Sequence, residues 1–131
     1  IWFIRCALRH EPITLHGAGH QPRDYNSVGD VVQAFLLAAD NDAATQQVFW
    51  LGSGVQTRQI DMIEKILKFS ESRSTLTKIP RPADRERIEI GNFQVSTEKI
   101  QKTLGWEAKT SIDDGLKRTI AFYRDRLPEY L

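Results

Sequence analysis

Two arginines on stiff loops are the residues of this sequence best suited to bind an anionic ligand. Arg81 stands between Pro80 and Pro82, with Asp84 close behind it. Arg23 follows the glycine turn Gly17-Ala18-Gly19 and precedes Asp24, a carboxylate that could fix its guanidinium. A planar guanidinium fork pairs with two phosphate oxygens at once, so arginines on constrained backbone suit bidentate phosphate recognition. A solvated, salt-bridged surface is the competing reading of the same side chains.

Other constellations point less far. Gly17-Ala18-Gly19 follows an apolar stretch as a dinucleotide loop would, but Pro22 occupies the third glycine position and no helix start follows. Gly52-Ser53-Gly54 precedes a helical pattern, so its amides could face an anion, although the P-loop lysine is missing. His10, His16 and His20 have no cysteine or carboxylate cluster to complete a zinc site. A Gly-x-Ser-x-Gly elbow for serine nucleophiles is absent. Arg73, Lys78, Arg81, Arg85 and Arg87 suggest a nucleic-acid surface. Against that, Asp84, Glu86 and Glu89 are interleaved with them and no aromatic platform accompanies them.

These residues need elements to hold them, and the apolar periodicity supplies a set. Ile1, Ile4 and Leu8 share a helical face that Pro12 closes; Ile13-Thr14-Leu15 reads as a strand and Asp24 to Val28 as a second one. Asp30 reads as the cap of a helix with a stripe of Val31, Ala34, Phe35, Ala38 and Ala39. Val48 to Leu51 is a continuous apolar strand, and Thr57 caps a helix facing inward through Ile60, Ile63, Ile66 and Leu67. A strand over Leu76 to Ile79 follows, then a short helix through Ile100 and Leu104. Gly105 ends that helix and lets Trp106 fold back on Ile100. Ser111 caps the last helix, whose stripe is Ile112, Leu116, Ile120, Tyr123 and Leu127.

Composition narrows the function classes. With 40% hydrophobic and 27% charged residues the chain can bury a core, and disorder is excluded. A net charge of +1 gives no general pull toward nucleic acid or acidic membranes. No apolar run reaches the about 18 residues that span a bilayer. The single cysteine, Cys6, rules out an intrachain disulfide and suits a reducing, cytoplasmic setting.

Over several stretches the sequence resembles the extended short-chain dehydrogenase/reductase family of NAD-dependent nucleotide-sugar epimerases and dehydratases. The stretches are Ile13 to Val32, Val48 to Gly54, Arg81 to Asp84, Ser96 to Trp106 and Thr110 to Leu116, in the family's order. UDP-glucose 4-epimerases and dTDP-glucose 4,6-dehydratases are the nearest in character. Ala18, Gly29, Trp50 and Ala83 depart from the family pattern, which bears on the nucleotide sugar accepted.

The resemblance implies an α/β fold, a small substrate-binding lobe of short strands and helices from the carboxy-terminal part of such an enzyme. Residues 1–131 would form one domain, without the Rossmann half. That half would bring the NAD loop and a Tyr-x-x-x-Lys proton-transfer pair, which this sequence lacks. By resemblance, Arg23 and Arg81 grip the diphosphate and Asp84 supports ribose or Arg81. The backbone of Leu15, His16 and Gly17 lies near the base. The expected partners are a nucleotide-diphosphate sugar, the missing half and a second copy of the enzyme, with neither nucleic acid nor membrane. The chain alone would bind no NAD and turn over nothing. The other functional reading is a stand-alone sugar-nucleotide binding module; a start inside an apolar helix at Ile1 argues for a piece of a longer enzyme instead.

Overall fold

The computed structural model describes residues 1–82, 91–92 and 94–130. In chain order the elements are α1 (Trp2–Leu8), β1 (Ile13–His16), β2 (Pro22–Asp24), α2 (Val28–Ala39), β3 (Gln56–Arg58), α3 (Gln59–Phe69), β4 (Leu76–Ile79), α4 (Glu98–Leu104) and α5 (Ile112–Arg126). The described residues fall into two compact units. The first draws on Ile1–Gln21, Arg58–Gly91 and Asp113–Leu131, the second on Pro22–Thr57 and Asn92–Ile112. The chain is thus mixed α/β, as its periodicity suggested.

In the first unit, β1 and β4 pair in parallel, from Ile13 opposite Leu76 to His16 opposite Ile79. Backbone bonds from Ile13 N–H to Thr75 O and from Gly17 N–H to Ile79 O, each 2.8 Å, extend the ladder at both ends. Parallel partners require a long connection between them, and here residues 17–75 lie between. Ile13 and Leu15 alternate inward, while His16 faces out. Buried in the same unit are Ile4 and Ala7 of α1, Ile60, Ile63 and Ile66 of α3, and Leu116 and Ile120 of α5. Apolar spacing of three and four residues placed the faces of α3 and α5; on α1 it named Ile1, which is exposed, and missed the buried Cys6 and Ala7. Met62 is buried as well, and Leu67 less so than its spacing suggested.

Helix α1 stops before Pro12 and for a different reason. His10 adopts a left-handed φ of 58°; its N–H donates to Ala7 O and the Glu11 N–H to Cys6 O. This closure satisfies the last carbonyls. Glu71 closes α3 in the same way, with φ 54° and the Ser72 N–H donating to Leu67 O.

The second unit is built on Ala34, Ile100, Leu104 and Trp106, with Phe49 and Leu51 packed against them. Gly105, at φ 66°, caps α4 and brings Trp106 back onto Ile100, as its sequence position suggested. Several other expectations are corrected here. The second strand is β2, which ends where it was expected to begin, and it pairs with β3. Ser27, not Asp30, is the N-cap of α2. Asp30 lies inside the first turn, where tertiary bonds claim it. Its side chain accepts the Thr110 N–H at 2.9 Å, and its backbone carbonyl accepts the buried Trp106 Nε1–H at 2.9 Å. Thr57 belongs to β3, and Arg58 is the N-cap of α3. Val48 to Leu51 runs outside any described ladder, with Phe49 and Leu51 inward and Val48 and Trp50 exposed.

Candidate functional site

Open parallel sheets hold ligands beyond the carboxyl ends of their strands. In the first unit those ends are His16 of β1 and Ile79 of β4, and Gly17 and Arg81 continue from them. Gly17 has φ +81°, and a Cβ built on it would lie 3.5 Å from both Nε and Nη2 of Arg81. The guanidinium therefore spreads over a residue that carries no side chain. Leu15, His16, Gly17 and Arg81, four of the expected site residues, come together here. Asp84 lies outside the described residues.

The rest of the glycine turn serves α3. Gly19 O accepts the Ile60 N–H at 3.0 Å and Gln21 O accepts the Gln59 N–H at 3.3 Å. Arg58, the N-cap, makes no side-chain cap bond, so these carbonyls satisfy first-turn donors. His20 sits close enough to Asp61 to add to the pull on its carboxyl. The hydrogen bond from Arg58 is the main cause holding that carboxyl below the ordinary carboxylate value. Among the described residues no three or more His, Cys, Asp or Glu side chains gather as a metal site.

Arg23 stands in the second unit, half-buried on β2, with its Nη1 donating to Pro22 O at 2.9 Å. The expected brace from Asp24 is corrected. Neighbouring strand residues point to opposite faces, and the Asp24 carboxylate binds the turn 52–54 instead. Tyr25 is pushed up from the usual phenol range by burial, an effect the nearby Arg23 charge partly opposes. Tyr25, Ser53, Val55 and Thr57 line a cavity of about 320 Å³ together with the 108–112 segment, which includes Lys109 and Thr110. Its lining combines hydroxyl-bearing residues and Lys109 with the apolar Val55, Ala108 and Ile112, and includes no carboxylate residue. Sequence reading missed Tyr25 and Lys109. Tyr25 beside Arg23 was the available signal; Lys109 gave none.

An NAD pyrophosphate does not fit either glycine turn of this chain. Gly17 to Gly19 leads into strand β2 rather than a helix, and Asp24 already takes amides of the 52–54 turn.

A family model described as GDP-mannose 4,6 dehydratase matches residues 3–119. The chain belongs to that family. The family's curated relatives include UDP-glucuronic acid decarboxylase 1 of Arabidopsis thaliana, 26% identical over 95% of this chain and 27% of its own. The UDP-glucuronate 4-epimerase of Thermodesulfobacterium geofontis is 27% identical over 95% of this chain and 37% of its own. Among solved structures, the UDP-glucose 4-epimerase of Thermotoga maritima with UDP-glucose superposes with a TM-score of 0.86. It is 28% identical and covers 96% of this chain and 39% of that one. The Bordetella bronchiseptica enzyme WbmF, in complex with NAD+ and UDP, gives 0.80 at 31% identity over 97% and 36%. These agree with the extended short-chain dehydrogenase/reductase resemblance. The chain spans between about a quarter and two fifths of the length of these relatives. Among the described residues no helix is long and apolar enough to cross a membrane.

Proposed function

We propose that residues 1–131 act together as the substrate-binding lobe of an NAD-dependent enzyme that epimerises, dehydrates or decarboxylates a nucleotide-diphosphate sugar. The observation that carries this reading is the guanidinium of Arg81 spread over Gly17 at the carboxyl ends of β1 and β4. In it, Arg81 and Arg23 hold the diphosphate, the backbone of Leu15, His16 and Gly17 lies along the base, and Asp84 supports ribose or Arg81. A UDP sugar is the substrate class that the relatives favour, because they include enzymes of UDP-glucuronic acid, UDP-glucuronate and UDP-glucose. A 4-epimerase of the UDP-glucose type is the finest form of the reading.

NAD supplies a hydride acceptor for a sugar carbon, and the rest of the full-length polypeptide holds it. This chain's own residues contribute binding. Grip on the remote diphosphate provides energy that can be used at the reacting carbon. The test is titration of UDP and dTDP into the full-length polypeptide and its variants. Arg23→Ala and Arg81→Ala should each weaken binding by about 1.5–3 kcal/mol, the range for hydrogen bonds to charged groups. Arg→Lys should recover part of it, because the ammonium keeps the charge and loses the fork. Arg124→Ala on the exposed side of α5 should leave affinity unchanged. Equal small losses in all three alanine variants would defeat the reading.

A further inference from the structure

In the second unit, the Asp24 carboxylate is tied to a turn 29 residues further along the chain. Its Oδ1 accepts the Ser53 N–H at 2.7 Å and the Ser53 Oγ–H at 2.6 Å, and its Oδ2 accepts the Gly54 N–H at 3.3 Å. Successive amides of a glycine-rich turn make a concavity that attracts an anion. Here the chain supplies that anion itself. Gly52 makes the approach possible, since a Cβ there would stand 2.6 Å from Asp24 Oδ2 and 2.5 Å from Val95 Cγ2.

We propose that Asp24 is a positioning residue for ligand binding: its carboxylate is the resident anion of the Gly52-Ser53-Gly54 turn and holds the Ser53–Val55 wall of the cavity that Tyr25 also lines. Two consequences follow from charge and geometry. The turn cannot also receive a substrate phosphate, because its amides already face a negative charge, so phosphate recognition falls to arginine side chains. The Asp24 link also fixes β2, and with it Arg23, relative to the turn. The inference rests on the proposed reading that Arg23 grips a diphosphate.

The experiment is UDP titration of the full-length polypeptide and four variants. Asp24→Asn keeps the shape but loses the charge and turns an amide donor toward an N–H; it should weaken UDP binding at least tenfold. Asp24→Ala should do the same and regain part of the affinity in added acetate, which refills the emptied turn, whereas wild type gains nothing. Ser53→Ala removes one of the three bonds to Asp24, along with the Val55 N–H bond to the Ser53 hydroxyl, and should weaken binding about threefold. Arg23→Ala separates the two ideas. If it leaves UDP affinity unchanged, the proposed function fails. If it weakens binding while Asp24→Asn and Ser53→Ala bind UDP as wild type does, the positioning role alone is overturned. Loss of affinity in Asp24→Ala with no response to acetate also overturns it, since the anion would then be irrelevant.

Discussion

Arg81 lies over Gly17, its Nε and Nη2 both 3.5 Å from where a glycine-to-alanine methyl would stand. That distance is ordinary contact, so space is not the obstacle at Gly17. The obstacle is its φ of +81°, which side chains disfavour by about 1–2 kcal/mol. Gly17→Ala should therefore lower stability by that amount in urea unfolding. Gly17→Val adds a branched side chain beneath the guanidinium and should also weaken UDP binding to the full-length polypeptide. A Gly17→Val variant with unchanged UDP affinity would show that Arg81 does not depend on the bare turn.

Trp106 donates its indole N–H to the Asp30 carbonyl inside the second unit. Trp106→Phe keeps most of the apolar contact with Ile100 and Leu104 and removes that bond, so it should cost about 1 kcal/mol, with the orphaned carbonyl adding to it. Trp106→Ala opens a cavity as well and should cost about 3–5 kcal/mol. Thermal unfolding of both variants checks the ratio. Equal losses would mean that the bond contributes nothing.

What the sequence disclosed and what it hid follow from the range of the forces. The faces of α3 and α5 were legible because burial repeats with the helical period, as Ile60, Ile63 and Ile66 show. Gly105 and Trp106 were legible because a left-handed stop is local chemistry. Asp30 was misread because its cap-like neighbourhood is local, whereas its partners, Trp106 and Thr110, lie 76 and 80 residues away. Asp24 misled for the same reason: adjacency suggested Arg23, and strand alternation turned the carboxylate toward Ser53. The parallel pairing of β1 with β4 had no local signal. At the site, Arg81 and Gly17 were both marked by backbone-restricting neighbours or by turn chemistry, but their mutual contact belongs to tertiary structure.

Tyr25 should titrate late. Burial raises its folded value, so the stability linked to it is fully present below the ordinary phenol pKa of about 10 and is lost as pH rises through the raised value. Ultraviolet titration should show a delayed tyrosine component that Tyr25→Phe removes. The nearby Arg23 charge favours the phenolate, so Arg23→Ala should delay it further. An earlier component in Arg23→Ala would contradict the placement of the two side chains.

Lys65 donates to Asp113 at 2.6 Å and holds its carboxyl below the ordinary value, with Lys117 and Lys68 adding to the effect. The lowered value means that this contribution is present above about pH 4, the unfolded carboxylate range, and is lost as pH falls through the folded value. Asp113→Asn should leave a small loss at neutral pH and a flatter fall of the urea midpoint on acidification. A parallel curve displaced at every pH would point to packing rather than charge.

Helix α2 carries two apolar stripes. One holds the buried Ala34 and half-buried Val31 and Ala38 toward its own unit, and the other presents Val28, Val32, Phe35 and Leu36 at helical spacing. Val28, Phe35 and Leu36 are 78%, 68% and 57% exposed, which leaves a continuous outward ridge rather than scattered apolar residues. Lone exposed side chains need no explanation, but a contiguous apolar patch drives association when nothing covers it. The 131-residue chain expressed alone should therefore form dimers or larger species through this face, a second copy being the surface always available to it. Phe35→Lys with Leu36→Glu breaks the ridge without touching Ala34 and should shift sedimentation toward monomer at equal concentration. Trp2→Lys probes a second exposed apolar position, on α1. If Trp2→Lys restores the monomer and the α2 pair does not, association runs through α1; if the unaltered chain sediments as a clean monomer at high concentration, the ridge does not drive assembly at all.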